Sequence, residues 1–483
     1  MVSTAPGELG ELLAAWLPGQ RWFAGKGRSF SVVEVTALGK LTERPWRSDV
    51  WLVRVRYADD GSTETYQVPL VRRPEPADQV SHVLVGETPD PDYGGLSWWY
   101  DALHDKEVTG AWLAGIDADR AENGLVFTRG REAGDLPLDA TSLVNTGEQS
   151  NTSLVFDDAA ILKVFRRVYP GHNPDIEVHE ALSRVDGGAR HVARLLGHVS
   201  GRRVADPDGS ADPGDGPDPS ADRFDLAMLQ EFFRTASDGW ELAKISVRDL
   251  YAEGDLHASE VGGDFAGEAQ RLGVATAEMH ADLARALPTA ELGPAELAAK
   301  AGEMRRRLDV ALAAVPKLEP YSDGLRSAFD ALARHDTPLP VQRVHGDYHL
   351  GQVLRTSHRW VVLDFEGEPA RPLSARTQLD SPIRDVAGML RSFDYAARHL
   401  LHDHPYEPHL AYRAEEWAVR NRDAFCAGYA DAGGPDPRTD PALLRAYEAD
   451  KAVYEAVYEA RNRPSWLPIP MASLSRLTEG ARS

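Results

Sequence analysis

The sequence changes period near residue 233. Before that point short β-branched and aromatic runs alternate with turn residues, and beyond it alanine- and leucine-rich segments repeat at helical spacing. Helices are predicted over residues 265–287, 294–315, 319–334, 384–400, 411–432 and 441–461. A single β interruption breaks this half: two apolar runs, residues 341–344 and 360–365, enclose a polar loop. Such a chain is expected to form an α+β protein with a sheet-rich first part and a mainly helical second part.

The first part divides further. An amphipathic stretch at residues 8–17 precedes strand-like runs at 30–38, 50–57 and 63–70, which predict a small β-rich unit over residues 1–90. Around residues 89–112 the pattern reads as helical. Strands follow at 125–128, 151–156, 160–165 and 226–233, so residues 91–233 are expected to form a second sheet-bearing region and 234–483 the helical lobe. Residues 205–222 consist almost wholly of Asp, Pro, Gly, Ser and Ala, a composition that buries too little apolar surface to offset its ordering entropy. A mobile loop is expected there.

Composition removes several function classes. A net charge of −22 disfavours nucleic acid or an anionic membrane as the main partner, and no apolar run approaches the roughly 18 residues of a membrane helix. Glu8 and Glu11 stand where an export signal would carry basic residues, and the lone Cys426 has no partner for an internal disulfide. A soluble cytoplasmic protein with a buried structural thiol is expected.

The chemistry concentrates in the β interruption. His345-Gly346-Asp347-Tyr348-His349-Leu350-Gly351-Gln352 is followed by Trp360-Val361-Val362-Leu363-Asp364-Phe365-Glu366-Gly367. Phosphoryl transfer needs a carboxylate to orient the attacking hydroxyl and oxygen ligands to hold Mg2+ against ATP. Asp347 suits the first role, and Gln352 with Asp364 the second. The spacing agrees, because kinase catalytic loops place a metal ligand five residues after the Asp and another at the end of the next strand. His345, Asp347 and His349 could instead ligate a hydrolase metal, but a Gln and a strand-terminal Asp follow rather than further ligands. His345 is expected to brace the loop by hydrogen bonding.

A kinase also needs a cation on the nucleotide phosphates. Lys163 lies in the β-type run 160–165, and the next helix starts at Asn173-Pro174-Asp175-Ile176-Glu177 with an Asn cap and Pro in the first turn. Helical geometry sets Glu177 about 90° and Glu180 about 150° from the centre of the apolar stripe. A Lys163–Glu177 pair is therefore predicted, with Glu180 facing water. Gln149, Ser150, Asn151, Thr152 and Ser153 stand where a phosphate-covering loop belongs, without its usual glycines. The run 226–233 would offer backbone groups of Gln230 and Phe232 to an adenine edge.

The block 149–153, the loop His345–Gln352, the sequence Asp364-Phe365-Glu366-Gly367-Glu368-Pro369 and the stretch 384–395 resemble the actinobacterial maltokinases. So do Gln20-Arg21-Trp22-Phe23 and Ser465-Trp466-Leu467-Pro468, and the likeness covers nearly the whole chain. The resemblance implies a bilobal protein-kinase-like fold, akin to the aminoglycoside phosphotransferases, with an extra β-rich N-terminal cap domain. It implies transfer of the ATP γ-phosphate to the anomeric hydroxyl of maltose, giving maltose 1-phosphate for α-glucan synthesis, and contact with trehalose synthase. Matched to the family, Asp347 is the catalytic Asp, Gln352 and Asp364 the metal ligands and Lys163 the phosphate-binding Lys.

A disaccharide site needs hydrogen-bonding groups and an aromatic platform. Glu366, His349, Arg384, Asp385, Lys451, Tyr454 and Glu455 are the candidates, with Tyr447 and Tyr458 on the same helix. Two rivals remain at this stage: a kinase for glucosamine or an aminoglycoside, and a non-catalytic nucleotide-binding regulator of a glucan enzyme.

Overall fold

The computed structural model describes residues 7–90, 95–145, 150–186, 188–202, 223–253, 256–368, 371–403 and 407–479. The loop expected at 205–222 and Gln149 lie outside the described residues. The chain forms two compact units, Met1–Ser183 with Ala193–Arg234, and Arg184–Val192 with Thr235–Ser483.

The first unit opens with helix α1 (Glu8–Trp16) and strands β1 (Phe30–Thr42), β2 (Arg47–Tyr57), β3 (Thr63–Arg73), β4 (Leu84–Asp90) and β5 (Gly95–Asp101). These pair antiparallel in the order β1-β2-β3-β5-β4. Leu13 of α1 packs with Phe23, Val53, Val55, Tyr66 and Val68 on one face. The helical pattern expected from residue 89 is overturned for 95–101, where Trp98, Trp99 and Tyr100 run as β5 against β3. Successive aromatics fit a half-buried pleated surface, and helix begins only where Asp105 caps it by accepting the Glu107 N–H at 3.0 Å.

After α2 (Lys106–Asp117) come β6 (Ala121–Glu122), β7 (Leu125–Arg129), β8 (Ser142–Asn145), β9 (Thr152–Phe156), β10 (Ala160–Val164), β11 (Arg167–Val168), α3 (Pro174–Leu182), β12 (Leu195–Arg202) and β13 (Arg223–Glu231). Seven strands form the second sheet, in the order β6-β7-β12-β13-β10-β9-β8. Its core joins Trp112 and Ile116 of α2 to Leu154, Phe156, Leu162 and Leu229. The remaining strand, β11, leaves this sheet and pairs with β3 of the first. Gln67 of β3 donates its side-chain amide to the carbonyls of Phe165 and Leu226, each at 2.9 Å. Beside it the fully buried Arg166 binds Asp101 and lies over the Trp22 ring.

The second unit contains β14 (Ser237–Asp238), α4 (Gly239–Ala252), α5 (Ala266–Ala286), β15 (Thr289–Leu292), α6 (Pro294–Ala314), α7 (Ser322–Ala333), β16 (Leu339–Gln342), β17 (Val353–Arg355), β18 (Trp360–Val362), α8 (Leu373–Arg376), α9 (Ile383–Arg398), α10 (Pro408–Asp431), α11 (Pro441–Asn462) and α12 (Pro468–Glu479). The two apolar runs around the polar loop do not pair with each other. β16 joins β15, while β18 forms a hairpin with β17, a strand hidden inside the segment read as loop. α9 is enclosed on most sides, and its buried Asp394 meets Arg391 at 2.9 Å, Arg476 at 2.6 Å and Arg422 at 3.5 Å. No described helix is long and apolar enough to cross a membrane.

Candidate active site

The loop after β16 is held by α9. Asp385, in the first turn of that helix, accepts the backbone N–H of His345 at 2.7 Å and of Gly346 at 2.9 Å, and His280 Nε2 lies 3.1 Å away. Both carboxylate oxygens are thereby spent on a residue that is 1% exposed, so Asp385 is a brace of the loop and not the sugar contact expected of it. α9 can approach this closely because Gly388 has no side chain: a Cβ there would stand 2.6 Å from the Tyr348 carbonyl. His345 braces as predicted, its Nε2 donating to the Leu363 carbonyl at 2.7 Å and its Nδ1 accepting the Asp347 N–H at 3.3 Å.

Asp347 projects from this loop toward α11, where Lys451 Nζ lies 3.0 Å from its carboxylate. Burial pushes the Asp347 carboxyl up, but the Lys451 ammonium and the nearby His349 and His345 outweigh it and hold the group well below the usual range. Lys451 also reaches Glu368 at 3.6 Å. Burial alone would lower the lysine; the Asp347 and Glu368 carboxylates raise it instead. His349 turns its Nδ1 to the Gly351 N–H at 3.1 Å, and burial lowers its pKa.

Past the β17–β18 hairpin the backbone turns sharply at Asp364, whose φ of 65° lies in the left-handed region. The turn brings Gln352 Nε2 to 3.3 Å from Asp364 Oδ2, and one carboxylate oxygen of Asp364 to within 4.8 Å of one from Glu366. Two carboxylates with an amide oxygen make a hard donor set that fits Mg2+. A half-turn about the last bond of the Gln352 side chain exchanges its amide nitrogen and oxygen and presents the oxygen.

A cavity of about 240 Å³ adjoins Lys451, walled by α6, α9 and α11. All five basic side chains of its lining are matched to carboxylates. Lys300 meets Asp380 at 2.7 Å, Arg307 meets Asp450 at 2.8 Å and Arg371 meets Glu368 at 2.6 Å. Arg384 lies 3.4 Å from Asp380 and 3.5 Å from Glu368, and Lys451 bridges Asp347 and Glu368. Of the residues expected to contact a sugar, Arg384, Lys451 and Tyr454 line the cavity, together with Tyr447. Glu455 does not: its carboxylate is committed to Arg391 at 2.7 Å. In the stretch after Asp364, Glu368 and not Glu366 is the acid in the cavity wall. Tyr458 stacks on Tyr454 and is largely exposed.

In the first unit Lys163 Nζ lies 3.4 Å from Asp175 Oδ2. Sequence reasoning passed over Asp175, the acid in the same helical turn as Glu177, because its role as a first-turn acid was explanation enough. Glu180, expected to face water, is half-buried, 3.8 Å from His172 and 3.4 Å from His198. Strand parity separates the expected phosphate contacts. Ser153 pairs directly with Lys163 and shares its face, whereas the Thr152 side chain turns inward and accepts from Arg166 at 2.8 Å. Ser150 is exposed and Asn151 half-buried just before β9.

Of the two residues expected at an adenine edge, Gln230 turns its side-chain amide to His179 Nε2 at 2.7 Å, and Phe232 spends its backbone N–H on the Ala159 carbonyl at 3.1 Å. On the Lys163 face, by register, stand Leu143, Val155 and Ile161. Leu143 is 61% exposed, which gives this face an apolar surface suited to a flat ring.

Residues 16–105 match the family described as the maltokinase N-terminal cap domain, and residues 251–456 match the phosphotransferase enzyme family. A glucosamine kinase of Streptacidiphilus jiangxiensis is 30% identical over 68% of this chain and 72% of its own length. One from Mycolicibacterium smegmatis is 27% identical over 70% of this chain and 80% of its own. A solved glucosamine kinase in complex with glucosamine, ADP and inorganic phosphate is 25% identical, with a TM-score of 0.64 over 98% of this chain and 100% of that one. With Asp347 paired to a lysine of the cavity wall inside the matched region, the chain belongs to the phosphotransferase enzyme family, as a small-molecule kinase bearing a maltokinase-type cap.

Proposed function

We propose that the protein is an ATP-dependent sugar kinase that phosphorylates maltose at its anomeric hydroxyl, releasing ADP and maltose 1-phosphate. The observation that carries the acceptor choice is the charge pairing of the cavity beside Asp347. Each cation in its wall already has a carboxylate, a near-balanced lining that suits a neutral polyhydroxyl acceptor. The cap match supports the same choice.

In this reading the Asp347 carboxylate accepts a hydrogen bond from the anomeric hydroxyl and fixes its lone pair on the γ-phosphorus. A bond forms from that oxygen to phosphorus as the bond to the ADP oxygen breaks. Asp347 is a weak base beside Lys451, so the proton reaches it late, consistent with a loose transition state that needs little base strength. Gln352 and Asp364 would hold Mg2+, which supplies charge neutralisation at the triphosphate. Lys163 is assigned to phosphate oxygens, and Tyr454 to a sugar face.

Glucosamine is the second reading, favoured by the names of the relatives. A panel of sugars assayed with ATP and Mg2+, with phosphorus NMR of the product, separates them. Maltose is expected to give an anomeric phosphate and lose its reducing end; turnover of glucosamine without maltose would reverse the choice. Maltose supply by trehalose synthase, implied by the resemblance, predicts co-purification of the two proteins.

A further inference from the structure

α3 is fastened to β13 at both ends. At its start, Asp225 of β13 accepts the Asn173 N–H at 2.7 Å and meets His172 Nδ1 at 2.6 Å. At its last turn, His179 Nε2 meets the Gln230 amide of the same strand at 2.7 Å. His179 Nδ1 lies 2.8 Å from the Asp175 carbonyl oxygen and 3.2 Å from Asp175 Oδ1. Those oxygens can only accept, so Nδ1 carries the proton and Nε2 receives the Gln230 N–H. The other oxygen of Asp175 faces Lys163 at 3.4 Å.

Side chains of β13, α3 and β10 thus form one buried series, Gln230 to His179 to Asp175 to Lys163. His179 is 2% exposed and Asp175 1%, so this polarity is maintained where an aliphatic pair would pack without desolvation cost. A lysine on a four-carbon stem reaches many positions unless something holds its end. We propose that His179 and Gln230 are positioning residues for the phosphate lysine: they fix the Asp175 carboxylate, and that carboxylate fixes Lys163 Nζ. The inference rests on the phosphotransferase reading and is independent of which sugar is the acceptor.

The test reads nucleotide binding without an acceptor, by calorimetry with a non-hydrolysable ATP analogue and Mg2+, alongside melting curves. His179→Ala and Gln230→Leu are expected to weaken the analogue by roughly tenfold in folded protein, with His179→Asn, which keeps a donor at the Nδ1 position, recovering part of the loss. In a Lys163→Met background the same changes should add no more than about twofold, because the group being positioned is gone. With a working acceptor, the KM for ATP should rise and the KM for the sugar should not. Wild-type affinity in folded variants, or an equal loss in both backgrounds, overturns the inference and leaves a structural role. Should His179→Ala not fold, Gln230→Leu decides alone. A wild-type protein that binds no nucleotide overturns the phosphotransferase reading instead.

Discussion

At the scale of single residues, the proposed chemistry turns on the Asp347–Lys451 pair. Asp347→Asn keeps the size of the side chain and removes the charge, so sugar phosphorylation should fall by roughly 10²–10⁴-fold while analogue binding by calorimetry persists. Lys451→Met has a different signature. An ordinary aspartate titrates at about 3.9, and the active form is the carboxylate, so activity is lost as pH falls through its pKa. With Lys451 present that loss lies below the ordinary value; without it the leading lowering influence is gone while burial still raises the group, and the acid limb of kcat should move to higher pH. An unmoved limb would mean that another group sets it. Asp347, Gln352 and Asp364 were legible in the sequence because they lie within one stretch at a fixed spacing. Glu368 was readable only as a neighbour, and the Lys300–Asp380 and Arg307–Asp450 pairs join segments far apart in the chain, which no spacing encodes.

At the scale of elements, the clamp at the start of α3 predicts a pH dependence. Burial disfavours a charged His172, but the Asp225 and Glu180 carboxylates overcome it and raise the group to about 9. Asp225 is pushed up by burial and pulled further down by His172 and the Asn173 N–H. A histidine raised on folding stabilises fully below its unfolded pKa of about 6.5, and that contribution disappears as pH climbs through about 9. The melting temperature of the wild type should therefore decline toward that of His172→Gln across this window, while a constant gap would refute the clamp. The same scale explains two sequence errors. Trp98-Trp99-Tyr100 carries no period that separates a buried strand from a helix over so short a run, and at β9 the parity that sends Thr152 inward is fixed by Leu154 and Phe156 in the core.

At the scale of the whole molecule, charge is organised inside the second unit as well as at its cavity. Arg391 and Asp394 are wholly buried, and three further arginines, 398, 422 and 476, face the same carboxylate. Asp394→Ala leaves those guanidinium groups without their shared counter-charge, and a loss of roughly 3–5 kcal/mol in urea unfolding is expected. The α+β class, most helix positions and the β-rich opening were legible because periodicity reports burial. The destination of β11 was not, since two residues carry no pattern. Yet that short strand decides what protein engineering can do here. A splice that exchanges the opening sheet for a relative's must bring partners for Arg167 and Val168, a bridging amide at position 67 and an acid facing Arg166. Transplants that respect only linear order will cut through a seam the polypeptide has already stitched.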